Sequence, residues 1–294
     1  MSLVSNARQP RSTPRLSRSL TLGDVLFWLA VAAIVLFCLA PVLWQVLTSF
    51  KLTEDIIAIP NIYFPTRFTL AHYIQLFQRQ PFWRYILNST FVAVTSTITC
   101  LAIGAPAAYA LARLHPKGRN WMMAGILLVT LFPYILLIQG LLQIVQFFHL
   151  ANNYLALIIT YTAINLPLTI LVMRSFFTQL PRDLEDAARV DGYTTVQMLT
   201  QIVLPLTLPA LVTTGILTFI ASWNEYIFAL TFITEDTMKT IPVAAAQISG
   251  SSTYEAPYGP IAAATVVGTI PLILLVLIFQ RQIIQGLTAG AVKG

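Results

Sequence analysis

Apolar residues gather along this chain in six runs of about 20 residues or more, with polar stretches between them. The runs are Val25 to Leu47, Tyr85 to Leu111, Trp121 to Gln143, Tyr154 to Phe177, Leu204 to Phe232 and Pro260 to Gln280. A bilayer core about 30 Å thick is crossed by about 20 helical residues at 1.5 Å each, so the pattern predicts six spanning helices. Alternating segments of about ten residues, the mark of a transmembrane barrel, are absent. The expected fold class is therefore all-α membrane protein. A polar tail covers residues 1–22 and one transmembrane domain covers 23–294, with loops at 181–203 and 234–259 and a tail at 281–294.

One polar stretch is patterned as finely as the apolar ones. In "EDAARVDGYTTVQMLTQIVLP", Glu185 to Pro205, Pro181 just upstream suits a first helical turn and Gly192 a left-handed stop. That predicts a helix of about eleven residues, about 16 Å long. Thr194 offers a cap for a second helix leading to Leu204 and Pro205. Leu184, Ala187, Ala188 and Asp191 fall on one stripe of the first helix, and Glu185 and Arg189 stand at i and i+4, where they can pair. One leucine and two alanines make a narrow apolar face. That face suits the close approach of another protein better than a lipid surface, which favours bulky residues. Neighbouring carboxylates on a helix point about 100° apart, so Glu185 and Asp186 are not a catalytic pair.

Composition agrees with the pattern. Of 294 residues, 57% are apolar and only 10% charged, and the mean hydropathy of +0.76 excludes an ordinary water-soluble domain. Charge sets the orientation, because cytoplasmic segments collect Lys and Arg. With the N-terminus inside, 12 of the 17 basic residues are cytoplasmic and only Lys51, Arg67, Arg79, Arg84 and Lys239 lie outside. Both termini and the 181–203 loop are then cytoplasmic. The net charge of +6 reflects this loop bias, so it does not imply nucleic-acid binding. The Arg- and Ser-rich first 20 residues read as a polar tail rather than a targeting peptide, since no small-residue cleavage site follows the first apolar run.

Other residues narrow the chemistry. Cys38 and Cys100 both lie in apolar runs and suit packing; no metal-ligand spacing is present. His72, His115 and His149 are far apart near membrane boundaries. Pro106, Pro133, Pro167, Pro209 and Pro271 fall inside spans and predict kinks. The Ser, Thr, Gly and Ala residues of Tyr85 to Leu111 suit close helix packing. Glu225 is the one acid inside an expected span, which marks it as a functional candidate, with Trp223 and Asn224 beside it able to stack on and hydrogen-bond a polar solute. Asn165 and Asn88 are weaker candidates for the same path. No Lys follows a Gly, so the phosphate-cradling GxxxxGK[ST] loop is missing and this chain is not expected to hydrolyse ATP.

The order Asp186, Ala187, Ala188, Asp191, Gly192, then Ile202, Leu204 and Pro205 resembles the EAA loop of bacterial ABC-importer permeases. "SWNEYIFAL" from Ser222 to Leu230 and "GLTAGAVKG" from Gly286 to Gly294 look like the carbohydrate permeases of the maltose and trehalose type, as the second permease of a pair. The likeness extends over roughly residues 77–294. It implies a six-helix permease in the bacterial cytoplasmic membrane, working by alternating access as a heterodimer with a second permease. An ATPase dimer would bind ATP and Mg, with no cofactor on this chain, and an extracytoplasmic binding protein would deliver a di- or oligosaccharide or an α-glucoside such as trehalose, maltose or glucosylglycerol.

By that resemblance the EAA loop, with Glu185 before it, couples to the ATPase, and the tail at Gly290, Lys293 and Gly294 reaches the ATPase interface. Gln247, Ser249, Gly250, Ser251, Ser252 and Tyr254 would meet the binding protein. The family most often has Glu where Asp186 stands, so both Glu185 and Asp186 are candidates for meeting the ATPase. The alternatives are a permease for a non-sugar solute and an ion-coupled carrier. The second should show ionisable residues deep in several spans and an internal repeat.

Overall fold

A computed structural model describes residues 21–248 and 257–291, with backbone alone over 285–291. Helix α1 (Leu22–Ser49) holds the first expected span. Asp24 in its first turn accepts hydrogen bonds from the Thr21 amide and hydroxyl at 3.0 and 2.8 Å, a negative charge where the helix dipole favours it. Residues through Trp44 form one compact unit and those from Gln45 onward form a second.

The second unit is built on four helices. They are α4 (Phe82–Tyr109), α7 (Tyr154–Gln179), α11 (Leu208–Trp223) and α14 (Tyr258–Ala291). Between them come α2 (Thr53–Ile57), α3 (Ala71–Arg79), α5 (Arg119–Leu131), α6 (Ile138–Phe147), α8 (Asp183–Val190), α9 (Thr195–Met198), α10 (Leu204–Leu206), α12 (Ile227–Phe232) and α13 (Ile241–Ala246). Helices α4 and α7 lie against each other, α11 packs on both, and α14 covers α11.

Lipid supplies no hydrophobic drive between spanning helices, so close packing and hydrogen bonds must join them. Ser96, Cys100, Gly104 and Ala108 recur every four residues along the buried side of α4. The Thr162 hydroxyl donates to the Ser96 carbonyl at 3.4 Å, Cys100 Sγ lies 3.2 Å from Thr169 Oγ1, and Thr169 reaches Thr218 of α11 at 3.2 Å. The expected role of these small and hydroxyl residues in helix packing is thus what the fold displays. Gly104 is tightly packed in this seam, because a Cβ there would stand 2.7 Å from Thr169 Cγ2.

Two expected spans are not single helices. Trp121 to Gln143 divides at Phe132, whose ψ of 131° is extended, as a residue before proline prefers. A 3₁₀ turn (Tyr134–Leu137) follows Pro133, and the halves meet at 87°. Leu204 to Phe232 is broken twice. The helices before and after Thr207 meet at 82°, and Pro209 lies in the first turn of α11, where its missing N–H costs nothing, rather than kinking a helix interior. Sixteen residues give α11 a length of about 24 Å, short of a full crossing. Among the described residues, four helices are long and apolar enough to cross alone, and the number rises to six if each bent pair is one span. Pro106, Pro167 and Pro271 do lie inside helices. The last helix runs on through most of the expected C-terminal tail, to Ala291.

The second break, at Asn224–Tyr226, explains Glu225. This residue lies between helices rather than within a span. Its carboxylate accepts the amides of Phe228 at 2.9 Å and Ala229 at 3.2 Å, which are donors left free at the start of α12, and the Tyr161 hydroxyl donates to it at 2.7 Å. The polar stretch from Lys51 to Trp83 is also folded around polar groups. Lys51 Nζ donates to the Ile62 carbonyl at 2.7 Å, the Thr66 amide donates to Asp55 at 2.8 Å, and the buried His72 ring lies 2.9 Å from the Lys51 carbonyl.

Two predictions follow from this packing. Gly104→Val should destabilise the purified protein by about 1–3 kcal/mol in a detergent thermal melt, whereas Gly125→Val, with nothing within 4 Å of the added carbon, should melt near the parent temperature. In a double-mutant cycle, Tyr161→Phe and Glu225→Gln should each lower stability and together cost less than their sum, since both remove one charge-assisted bond. Strict additivity would contradict that pairing.

Candidate functional site

The patterned polar stretch lies at the end of the bundle where α4 and α7 finish. Helix α4 ends in a π-helical turn, Ala110–Leu114, and His115 at φ +47° stops it. Helix α7 ends at Gln179, and α8 begins four residues later. Helix α8 has eight residues, not eleven, because Pro181 stands outside it. Gly192 follows its C-cap at φ +81°, the left-handed conformation expected of it. Thr194 then caps α9 in a reciprocal box with Gln197: the Thr194 hydroxyl accepts the Gln197 amide while Gln197 accepts the Thr194 amide at 2.9 Å. A second π-helical turn, Leu199–Val203, leads on to α10.

The rotation of α8 overturns two expectations. Only Glu185 and Ala188 are buried, while Leu184 and Ala187 of the expected apolar stripe face outward with Asp186, Arg189 and Val190. Glu185 does not pair with Arg189. Its Oε1 lies 3.0 Å from Nε of Arg113, at the end of α4, with both side chains about 95% buried. This is a charge contact rather than an aligned hydrogen bond. Arg113 also donates to the Leu180 carbonyl just after α7. Arg189 turns to Asp186 instead, at 3.0 Å on the exposed side. Burial separates the two acids. Glu185 is committed inside the chain, and Asp186 is the carboxylate available to an outside partner.

Around the ion pair, Tyr109, Leu111, Ala112, Met173, Phe177, Ala188, Met198, Leu199 and Val203 form one apolar cluster, with Ile202 and Leu204 packed against it. The Tyr109 hydroxyl donates to Met198 Sδ at 3.1 Å. Ile202 and Leu204 therefore anchor the stretch to its own bundle, and of the EAA pattern Asp186, Ala187, Asp191, Gly192 and Pro205 are exposed. Arg113 was not distinguished in the sequence from other basic residues at the same membrane boundary. The separation of 72 positions from Glu185 hides the pair from any local pattern.

The expected substrate-path residues do not converge on one open surface. Trp223 is buried, its indole N–H donating to the Gly268 carbonyl at 3.2 Å and its ring stacked on Phe219, so it offers no face to a sugar. Asn224 is exposed. Asn165 donates to the Tyr161 carbonyl at 2.8 Å and to Ser222 at 3.3 Å, beside the Tyr161–Glu225 bond. Asn88 lies near the opposite end of α4 from Arg113. It donates to the carbonyls of Thr237 and Lys239 and accepts from Tyr154, so its amide holds the 236–240 segment in place. Gln247 is exposed just after α13, whereas Ser249, Gly250, Ser251, Ser252 and Tyr254 lie outside the described residues. Gly290 is within α14, and Lys293 and Gly294 lie outside the described residues. Among the described residues, no three His, Cys, Asp or Glu side chains come together as a metal site.

Comparison with known proteins agrees with this architecture. Residues 101–289 match the family described as the binding-protein-dependent transport system inner membrane component. The chain is 39% identical over 272 residues to a sulfoquinovosyl glycerol transport system permease protein of Agrobacterium fabrum, spanning 92% of this chain and 95% of that one. It is 37% identical over 279 residues to a trehalose/maltose transport system permease protein of Thermococcus litoralis, spanning 94% and 99%. A trehalose transport system permease protein of Mycobacterium tuberculosis is 39% identical over 269 residues, spanning 91% and 97%. The fold matches, at a TM-score of 0.74 and 22% identity, a chain from the crystal structure of a bacterial ABC transporter involved in the import of the acidic polysaccharide alginate, covering 92% of this chain and 99% of that one. None of these likenesses favours an ion-coupled carrier. The chain is a multi-pass membrane protein and belongs to the family of binding-protein-dependent transport system inner membrane components.

Proposed function

We propose that this chain is one permease of a heterodimeric pore that imports a sugar, and that the exposed side of α8 is where a separate ATPase docks. The observation that carries this reading is the geometry of α8. It is a short helix whose outward side shows Asp186, Ala187 and Val190, whose inner side is fixed to the bundle, and which is closed by a glycine at φ +81°. A small outward residue such as Ala187 lets a protein surface approach closely, and the exposed Asp186 offers it a hydrogen-bond acceptor. ATP and Mg would be bound by that partner. The permease would then alternate between openings as its ATPase subunits close and separate, which requires two discrete arrangements of the bundle biased from a distant site.

The described cytoplasmic end would then be the one carrying α8, with both termini on that side. The substrate would be a di- or oligosaccharide or an α-glycoside, the chemistry shared by the sugars in the relatives' names, and it would arrive on an extracytoplasmic binding protein. Gln247, exposed after α13, stands at the start of the segment that would meet it.

Tagging the chain, purifying it gently from native membranes and identifying what accompanies it by mass spectrometry tests this directly. An ATPase subunit, a second permease and a sugar-binding protein are expected; recovery of the chain without any ATPase would overturn the reading. Gly192→Val should lower the amount of ATPase recovered while leaving the chain in the membrane. A branched side chain in the left-handed region costs about 1–2 kcal/mol, and space alone is no obstacle there, since nothing lies within 4 Å.

A further inference from the structure

We infer that Arg113 and Glu185 are positioning residues: their buried ion pair makes α8 one rigid body with the ends of α4 and α7, and so fixes which side of α8 is presented outward. This rests on the docking reading above for its consequence, but the rigid-body claim stands on contacts within this chain.

Three observations support it. Helix α8 is too short to be stable by itself, since isolated helices need about 12–15 residues. Its inward side offers only Glu185 and Ala188, so apolar burial holds it through a single methyl group. Arg113 meanwhile contacts both neighbours of the joint, the carbonyl of Leu180 where α7 has ended and the carboxylate of Glu185 where α8 has begun. One guanidinium at the end of α4 therefore ties three helices.

An apolar contact in the same place would hold α8 but would tolerate rotation. A buried charge pair has one satisfied arrangement, because turning α8 by one residue would place Leu184 or Asp186 against Arg113 and leave Glu185 without its countercharge. Fixing register is the best-attested use of such pairs. The side thereby held outward carries Asp186, Ala187 and Val190. Displacement imposed on α8 would enter the bundle through Arg113 into α4 and α7, which are packed along their length. On its other side α8 connects through α9 and α10 to an 82° bend before α11.

The test uses the purified complex with Cys38, which is exposed, replaced by Ser and spin labels placed on cysteines at Leu114 and Leu184, also both exposed and neither among the residues proposed to dock. Pulsed electron-electron resonance reads the distance between α4 and α8 without nucleotide and with ATP trapped by vanadate. The unsubstituted pair should give one narrow distance that nucleotide leaves unchanged. Glu185→Gln should broaden it or let it shift by about 2 Å or more on trapping, the scale of helix displacements in switching proteins. Arg113→Glu combined with Glu185→Arg should restore the narrow distance. A narrow, nucleotide-independent distance in Glu185→Gln would overturn the inference, as would a nucleotide-dependent shift with the pair intact. If Glu185→Gln does not reach the membrane, the charge-swapped double variant decides: recovery with a narrow distance supports the pair, and absence contradicts it. If no ATPase accompanies the unsubstituted chain, the docking reading fails, and the nucleotide-free distances of the parent and Glu185→Gln still judge the brace alone.

Discussion

The arrangement of the end of the bundle that carries α8 depends on one buried ion pair, Arg113 with Glu185. Taking two charges out of water is costly, and removing one partner of such a pair costs about 3–5 kcal/mol because the other is left uncompensated. That asymmetry makes the pair a lock rather than a source of net stability. It determines that Ala188 points into the apolar cluster while Asp186 and Ala187 point out, and it links the polar stretch to the two helices with the longest mutual packing. The rest of the stretch follows locally. Gly192 turns the chain, Thr194 and Gln197 begin α9, and Ile202 and Leu204 return it to the bundle.

Elsewhere a related constraint recurs in milder form, since a backbone group freed from a helix and buried from water must find a partner. The breaks in the bundle obey it. The amides at the start of α12 are met by the Glu225 carboxylate, which Tyr161 holds in turn, and the 236–240 segment is met by the Asn88 amide. At the α6–α7 turn, Asn152 stands at φ +55° and its side-chain oxygen accepts the amides of Thr234 and Glu235. Residues that look like substrate ligands in an apolar sequence, Glu225 and Asn88 above all, are here committed to irregular backbone.

What the sequence made legible was what depends on near neighbours. Continuous apolar runs marked α1, α4, α7 and α14, because the bilayer reads hydropathy over about 20 residues. Gly192 and the Thr194 cap were legible because a left-handed turn and a free helix N-terminus each favour few residue types. The bends are legible only as kinks at Pro133 and Pro209; that they open to 87° and 82° is not, because hydropathy does not register how far a lost N–H lets the chain turn. The rotation of α8 escapes the sequence for a related reason. A helical wheel places apolar residues inward, yet the inward position here is a glutamate whose partner is 72 residues away, while the wheel offers Arg189 at i+4. Trp223 likewise stands out by residue type, as an aromatic beside an acid, while its contact with Gly268 is invisible to any local pattern.

The central claim is that the outward side of α8 is a docking surface set by the inward pair. The most direct measurement places a benzophenone photo-cross-linker on single cysteines at Ala187 and Val190 in native membranes, with Cys38 replaced by Ser, and at Thr237 near the opposite end of α4 as a control. The account predicts that Ala187 and Val190 cross-link to an ATP-hydrolysing subunit and that Thr237 does not. Adducts from Ala187 and Val190 to lipid alone, or none to such a subunit, would contradict it.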